Sequence, residues 1–321
     1  MDIFIKRIGL LKGVQMNKST LSELFSNEDQ ERLEKKAKTL LFDAHNVAYR
    51  CLFSAIFMNP EDNAKFYFWC HLFINSLMGT IKKFNAERVV LAFDTKGSWR
   101  YEFFSEYKAH RKGARDKAVV DFEKFFPIFE EFRKDIKETF TTIRVIDYPH
   151  AEADDIIAVL CREELKANQN IIVSTDKDLH QLLVEKNNQQ FDPIKNAMVN
   201  CINPQRELDL KIIAGDKSDG IPAIKPRVGK ATAESILRSG VEDFIEEKGN
   251  EIIKENYFRN RILIDFNFIP KDLANGIINT FCGYPIKEMK SSKIMKFFST
   301  HRLNKMMEDW TNYSPLIKSL K

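Results

Sequence analysis

Three short apolar runs, each closed by an aspartate, constrain the fold of this chain more than any other feature. They are Thr39–Asp43 (TLLFD), Val89–Asp94 (VVLAFD) and Ile171–Asp176 (IIVSTD). Helices predicted at about 44–58 and 63–84 separate the first two runs, and another predicted helix precedes the third. Continuous aliphatic runs that alternate with helices are typical of a parallel sheet covered on both faces. We therefore predict an α/β fold with a mainly parallel central sheet.

The aspartates that close these runs are candidate site residues. In parallel sheets, ligands bind beyond the carboxyl ends of the strands, so Asp43, Asp94 and Asp176 are expected to converge at one edge. An aspartate after a strand also commonly begins a turn, and that alternative remains open for each residue taken singly. Asp147 closes a similar run but is left out, because the next acidic cluster begins five residues later.

That cluster lies in YPHAEADDIIAVL, residues 148–160, where Glu152, Asp154 and Asp155 precede an apolar helical stripe. One carboxylate is enough to cap a helix. Glu152 and Asp155 share a helix face, whereas Asp154 lies about 200° around from Glu152 on a regular helix. All three can face one site only if the first residues belong to the cap. Asp155 is therefore interpreted as a ligand, an outer group or the cap itself.

Two further acidic pairs, Asp176/Asp178 and Asp216/Asp219, complete a set of nine candidate metal ligands. The nine are Asp43, Asp94, Glu152, Asp154, Asp155, Asp176, Asp178, Asp216 and Asp219. Nine anionic groups in one pocket repel one another and raise each other's pKa, and bound cations relieve that repulsion. Carboxylates without His or Cys suit Mg²⁺ or Mn²⁺. Their number exceeds what one octahedral ion uses, so we predict two Mg²⁺ ions, replaceable by Mn²⁺, in a site for phosphodiester hydrolysis.

Two segments have the composition of a nucleic-acid interface. Residues 96–117 carry seven Lys/Arg against three acidic residues, with aromatic residues interleaved, which suits phosphates and unpaired bases but also a solvated helix face. Residues 215–233 form a Gly/Pro-containing turn with lysines that suits a duplex phosphate but also an ordinary turn between helices. The candidate nucleic-acid contacts are Tyr107, Lys108, Arg111, Lys112, Arg115, Lys225, Arg227 and Lys230.

The overall composition sets broader limits. The net charge of +4, from 50 basic and 46 acidic residues, does not by itself indicate nucleic acid. The five cysteines are scattered without a close pair, which argues against a zinc site or disulfides and suits a reducing compartment. No apolar stretch is long enough to span a bilayer. A cytoplasmic protein with no membrane contact is expected.

Five motifs occur here in the order found in the flap endonuclease, or 5′-nuclease, family, which this chain resembles. They are F-D at 42–43, F-D at 93–94, E-A-D-D at 152–155, S-T-D-K-D at 174–178 and G-D-K-S-D-G-I-P at 215–222. The spacing and residues 260–266 most resemble the phage-encoded ribonuclease H of that family. The resemblance implies a nuclease that removes RNA primers and 5′ flaps in lagging-strand synthesis, with the nine carboxylates around two Mg²⁺ ions.

The resemblance also implies roles for basic residues and for partners. Asp43 and Asp176 are the expected catalytic carboxylates, Lys108 and Arg111 meet the scissile phosphate, and Tyr107 stacks on a base. A helix-turn-helix at about 210–240 binds duplex. Its usual glycines are mostly missing at 223–233, so Lys225, Arg227 and Lys230 are predicted to contact phosphate directly. The expected nucleic-acid partners are branched DNA and RNA·DNA duplex with a 5′ end or flap. The expected protein partners are a single-strand-binding protein and a sliding clamp. The protein is expected to act as a monomer in the host cytoplasm.

The predicted organisation has three parts: an N-terminal extension at 1–38, an α/β nuclease domain at 39–200 with an arch at about 96–140, and a helical C-terminal domain at 201–321. Residues 285–321 are expected to form a helix packed on the body or a docking surface. A PIN-type single-strand ribonuclease is a shorter alternative without residues 215–233. An aspartyl phosphatase would place an aspartate where His45 stands. A non-catalytic DNA-binding protein that retained the fold is the remaining alternative.

Overall fold

The computed structural model describes residues 37–58, 67–111, 113, 120–247 and 251–321, of which Lys38–Lys321 form one compact unit. All but the last two residues of the predicted N-terminal extension lie outside this description. The strands are β1 (Lys38–Asp43), β2 (Arg88–Ala92), β3 (Arg144–Ile146), β4 (Gln169–Val173), β5 (Asn188–Asp192) and β6 (Ala197–Met198). The helices before residue 200 are α1 (Ala44–Met58), α2 (Phe68–Phe84), α3 (Phe122–Thr139) and α4 (Ala153–Arg162).

The remaining helices follow the sheet in the chain. They are α5 (Pro204–Ala214), α6 (Lys230–Ser239), α7 (Val241–Glu247), α8 (Glu251–Ile264), α9 (Lys271–Cys282), α10 (Ser291–Thr300), α11 (Asn304–Glu308) and α12 (Trp310–Lys318). Short 3₁₀ helices lie at Trp99–Glu102, Asp178–Val184 and Phe266–Phe268. None of the helices in the described part of the chain is both long and apolar enough to cross a bilayer.

The sheet of the described residues has the strand order β3-β2-β1-β4-β5-β6. Strands β1 to β5 pair in parallel, with Leu40 opposite Val89 on one side and Ile171 on the other, and only the short β6 is antiparallel. The predicted parallel sheet is therefore confirmed. The chain builds outward from β1 to β3 and then crosses back to β4, so the order reverses between β1 and β4. Ligand sites in such sheets lie at this switch point.

The apolar runs are continuous because each strand is buried on both faces. Alternate side chains point to opposite faces of a strand. Accordingly Leu40 and Phe42 lie in one apolar core, whereas Leu41, between them, lies in the other. The sequence pattern of a doubly covered strand thus corresponds to two distinct cores.

Helices from both ends of the chain cover the first face. Phe73 of α2 and Phe129 of α3 share its core with Phe297, Phe298 and Trp310 of the C-terminal helices. Helices α4 and α9 cover the second face. Phe297, Phe298, Met306 and Trp310 thus pack on the body of the protein, whereas Met307 is exposed. The predicted domain boundary between residues 200 and 201 stays a prediction.

Candidate metal centre and nucleic-acid interface

Four of the predicted carboxylates meet at the switch point of the sheet, and we call them the first carboxylate group. They are Asp43, Asp94, Asp154 and Asp176. Asp43 is the last residue of β1 and is 5% exposed. Its carboxylate accepts hydrogen bonds from Ser174 Oγ at 3.0 Å and from the backbone N–H of Asn46 at 3.1 Å. These bonds fix Asp43 between the ends of β1 and β4.

The other members of this group are placed by the loops and the helix that follow the strands. Asp94 lies two residues beyond β2 and accepts a 2.7 Å hydrogen bond from the backbone N–H of Ala153, at the start of α4. Asp176, beyond β4, accepts one of 2.9 Å from the backbone N–H of Asp178. Asp154 is the second residue of α4. Short bonds at element ends therefore orient the group.

Burial and neighbouring charges raise the pKa of two carboxylates in the first carboxylate group. Burial and then the charge of Asp94 raise the pKa of Asp43 to about 7. Burial and then the charges of Asp176 and Asp43 raise the pKa of Asp154 well above its usual value. Within the described residues, no Lys or Arg pairs with any of the four, and His45 Nδ1 lies 3.6 Å from Asp94 Oδ2. Interacting carboxylates without a Lys or Arg partner suit a divalent cation with a preference for oxygen ligands.

Asp178, Asp216 and Asp219 form a second carboxylate group, with oxygens within 4.8 Å of one another. Here the chain supplies its own cations. Lys211 of α5 forms a short ion pair with Asp178 and lies 2.6 Å from Asp216 Oδ2. Arg111 Nη2 lies 2.5 Å from Asp219 Oδ1. Burial raises the pKa of Asp178 and Asp219, whereas for Asp216 Lys211 and Ser218 outweigh burial and lower the pKa.

A strained turn holds Asp216 in place. Gly215 has φ +73°, and a Cβ there would lie 2.4 Å from the backbone oxygen of Ile221. The close approach allows Asp216 and Ile221 to exchange backbone hydrogen bonds of 2.8 and 2.7 Å. A glycine is therefore required at this position.

The three carboxylates of the opening of α4 divide between two networks. Glu152 is the N-cap residue, with extended φ −91° and ψ 160°, and Asp154 and Asp155 begin the helix. Asp154 joins the first carboxylate group. Asp155 is fully buried, and both its oxygens accept hydrogen bonds from the Arg100 guanidinium, at 2.8 and 3.0 Å.

Further donors complete the surroundings of Asp155. Trp99 Nε1 donates to Asp155 Oδ2 at 3.2 Å, and the backbone N–H of Glu152 donates to the same oxygen at 2.9 Å. Donors of the chain thus contact both oxygens of Asp155, which agrees with the cap among the three roles considered for it, and its role as a ligand stays a prediction. Trp99 is 4% exposed and packs in the core on the second face of the sheet.

Glu152 is held by side chains of residues 96–117, which we call the basic segment. Lys108 Nζ lies 2.5 Å from Glu152 Oε1, and Arg100 Nη1 and the Tyr107 hydroxyl donate to Oε2 at 3.1 and 2.8 Å. Burial raises the pKa of Glu152, but Lys108 and Arg100 outweigh it and the net pKa is lowered. Glu152 is therefore an ionised carboxylate that anchors residues 100–108 beside both carboxylate groups.

The predicted nucleic-acid contacts differ in their exposure. Tyr107 is only 2% exposed, so stacking on a base would require its ring to leave this position. Arg111 is partly exposed. Lys112 and Arg115 lie outside the described residues. Lys230 begins α6 and lines a groove of about 660 Å³ with Asp176 and Asp178.

The other two basic residues of the turn before α6 are not among the residues that line this groove. Lys225 Nζ is 4.9 Å from the centre of the Phe244 ring, and Arg227 is exposed with φ +62°. Helices α5 and α6 flank the turn, but the helix-turn-helix assignment stays a prediction.

Two residues of the site were not found from the sequence. Arg100 lies within the basic segment, and nothing in its sequence spacing indicates a contact with Asp155. Lys211 lies in α5, where its position resembles that of any helical lysine. The control residue Asp147, excluded on sequence grounds, pairs with Arg133 at 3.1 Å and with Lys137 at 3.6 Å. It therefore takes no part in either carboxylate group.

Fold and site together define a nuclease of the 5′-nuclease class, and comparison with known proteins supports this. Residues 38–212, more than half of the chain, match the family described as 5′-3′ exonuclease, N-terminal resolvase-like domain. Residues 203–313 match the T4 RNase H C-terminal domain. The chain therefore belongs to the 5′-3′ exonuclease family, whose members hydrolyse phosphodiester bonds. The predicted family is confirmed.

Particular relatives come from phages and bacteria. The chain is 30% identical over 257 residues to the ribonuclease H of Enterobacteria phage T4, covering 74% of this chain and 83% of that protein. It is 30% identical over 215 residues to the 5′-3′ exonuclease of Buchnera aphidicola, covering 64% and 71%. The bacteriophage T5 flap endonuclease, solved with DNA and metal ions, shares the fold with a TM-score of 0.58 at 19% identity, over 83% of this chain and 98% of that one.

Proposed function

We propose that this protein is a Mg²⁺-dependent 5′ nuclease that removes RNA primers and 5′ flaps during lagging-strand DNA replication. Its substrates would be branched DNA and RNA·DNA duplex with a 5′ end or flap. The observation that carries the proposal is the first carboxylate group, which lies at the switch point of the sheet and has no Lys or Arg partner among the described residues. The named activity of the phage T4 relative and the DNA and metal ions of the T5 structure support it.

The two carboxylate groups would hold the cations. Asp43, Asp94, Asp154 and Asp176 offer one set of oxygens, and the second carboxylate group offers another. When bound, two Mg²⁺ ions, or Mn²⁺ in their place, would lower the pKa of water and offset charge on the phosphodiester. Asp155 is assigned to holding Arg100, because both its oxygens accept hydrogen bonds from the chain.

The basic segment would act on the phosphate. Lys108 Nζ lies between Glu152 Oε1 at 2.5 Å and Asp219 Oδ2 at 3.8 Å, and Arg111 contacts Asp219. The side chains of Lys108 and Arg111 would therefore lie close to a phosphate bound at the carboxylate groups. Fixed positive donors of this kind stabilise the negative charge that develops on the phosphate during the reaction. Lys230, which lines the groove with Asp176, would bind the backbone of the duplex together with Lys225 and Arg227 of the turn before α6.

Likeness to the phage T4 enzyme also motivates proposals on partners and place of action. We propose that the protein acts as a monomer in the host cytoplasm with a single-strand-binding protein and a sliding clamp. Because Phe297, Phe298 and Trp310 are buried, exposed lysines in residues 285–321 would make such contacts: Lys287, Lys290, Lys293 and Lys296. Replacing these four lysines by glutamate should weaken partner binding and leave cleavage of the free substrate unchanged.

The test is cleavage of a 5′-labelled flap and an RNA-primed duplex by full-length protein with Mg²⁺. Asp43→Asn and Asp176→Asn should each lose at least about 100-fold in rate, since even outer-shell changes cost 10–100-fold. Asp147→Asn is the matched control, because Asp147 also follows a strand but pairs with Arg133. Its rate should stay within about twofold of wild type.

Two outcomes would contradict the proposal. If Asp43→Asn and Asp176→Asn cleave as fast as Asp147→Asn, the first carboxylate group is not the active site. If the wild-type protein binds flap DNA tightly but releases no product with either Mg²⁺ or Mn²⁺, the chain is a non-catalytic DNA-binding protein.

A further inference from the structure

His180, Cys201 and Glu207 form a cluster outside both carboxylate groups. Each offers one ligand atom, and the three atoms lie within 4.8 Å of one another. His180 Nδ1 lies 2.6 Å from Glu207 Oε2, and the Cys201 thiol also hydrogen-bonds to Glu207. Imidazole, thiolate and carboxylate are the three ligand types that bind Zn²⁺. His180 and Cys201 are 21 positions apart, so the scattered cysteines, which argue against a zinc site when the sequence is taken alone, did not indicate this one.

We propose that His180, Cys201 and Glu207 bind a Zn²⁺ ion at a site separate from the nuclease centre. A thiolate and a carboxylate neutralise the two charges of the ion, and the imidazole binds as the neutral ring. Binding releases the thiol proton of Cys201 to solvent. Ligand atoms around tetrahedral zinc are about 3.5 Å apart, so closure of the cluster needs movements of about 1 Å. A fourth position would be left to water.

The cluster is open to an entering ion and partly shielded. The His180 side chain is 12% exposed and that of Glu207 is 48% exposed. Both line the groove of about 660 Å³ into which Asp176 and Asp178 also face. An ion can therefore reach the cluster from solvent without the protein unfolding.

The position of the cluster gives the ion a structural effect. His180 belongs to the 3₁₀ helix Asp178–Val184, Cys201 to the loop before α5, and Glu207 to the first turns of α5. The 3₁₀ helix and α5 also position Asp178 and Asp216 of the second carboxylate group. A bound ion would hold these elements together and so stabilise the spacing of that group.

The experiment uses Co²⁺ as the probe, added to the full-length protein with Mg²⁺ in large excess. A thiolate ligand gives Co²⁺ an intense near-ultraviolet charge-transfer band, which carboxylates alone do not give. We expect the band at one equivalent, its loss in Cys201→Ser, and its displacement by Zn²⁺. His180→Gln should weaken Co²⁺ binding at least about 10-fold. Cys282→Ser is the matched control, because Cys282 is also accessible but lies outside the cluster.

Zinc-dependent thermal stability gives a second readout. Zn²⁺ should raise the melting temperature of wild type and Cys282→Ser, and should raise that of Cys201→Ser less. The Asp43→Asn variant, disabled in the nuclease site, should keep the cobalt band, so failure of the proposed nuclease function would leave this test intact. A band that is absent from wild type, or that persists in Cys201→Ser, would overturn the zinc site.

Discussion

The buried contact between Arg100 and Asp155 should make a large contribution to folding stability. Asp155 is fully buried, and Arg100 gives it two hydrogen bonds of 2.8 and 3.0 Å, with a third of 3.1 Å to Glu152 and a fourth of 2.8 Å to the backbone oxygen of Leu263. Arg100→Met keeps the aliphatic stem but leaves a buried carboxylate without its counter-charge. Removing one partner of a buried pair costs about 3–5 kcal/mol, and we expect a loss in that range.

The assay is urea unfolding at 25 °C, followed by circular dichroism, with Arg133→Met as the matched control. Arg133 also pairs with an aspartate that follows a strand, Asp147, at 3.1 Å, but that pair is partly exposed. Its loss should cost about 1 kcal/mol or less. In a double-mutant cycle, Arg100→Met with Asp155→Asn should cost about 2 kcal/mol less than the sum of the single changes.

Two results would refute this reasoning. If Arg100→Met destabilises the protein no more than Arg133→Met, burial does not increase the contribution of the Arg100–Asp155 pair to folding stability. If the stability losses of Arg100→Met and Asp155→Asn simply add in the double mutant, the two side chains do not interact energetically. The assignment of Asp155 as the residue that holds Arg100 would then be wrong.

Three further predictions concern the carboxylate groups and the turn that holds Asp216. The folded-state pKa of Asp43 is raised to about 7, so the folded form holds its proton more tightly than the unfolded form. The stability of metal-free protein should therefore fall by up to about 4 kcal/mol between about pH 4 and pH 7, and thermal melts of Asp43→Asn should show a smaller fall. Gly215→Ala should destabilise the protein by about 3 kcal/mol or more in urea unfolding, because φ is +73° and the Cβ would lie 2.4 Å from Ile221 O. Lys211→Met should lower the stability of metal-free protein by about 2 kcal/mol, because Asp178 and Asp216 lose their cation, and thermal melts should show a larger stabilisation by Mg²⁺ than in wild type.

Each of these predictions has its own control or contrary outcome. A metal-free stability that rises from about pH 4 to about pH 7 equally in wild type and Asp43→Asn would contradict the raised pKa. Gly79→Ala, in the middle of α2 with nothing within 4 Å of the added Cβ, should instead stabilise by about 0.5–1 kcal/mol. An unchanged effect of Mg²⁺ in Lys211→Met would mean that Lys211 does not compete with a cation for these carboxylates.

Much of the fold could be predicted because its signals are local. A strand buried on both faces needs apolar side chains at every position, and Leu40, Leu41 and Phe42 show this directly in the sequence. The ends of such strands are equally visible, so Asp43, Asp94 and Asp176 could be proposed as a group. The acidic pairs of the sequence added Asp178, Asp216 and Asp219, whose proximity the structure shows.

The sequence by itself therefore determined the strands, their double burial and the acidic residues at their ends, because the periodicity of side chains along the backbone is a local property. Only the tertiary structure decided the strand order that places Asp43 beside Asp176, the partnership of Arg100 with Asp155, and the entry of Lys211 between Asp178 and Asp216. Asp43 and Asp176 are 133 positions apart, Arg100 and Asp155 are 55 apart, and Lys211 and Asp178 are 33 apart, and pairs at such separations leave no periodic trace in the sequence.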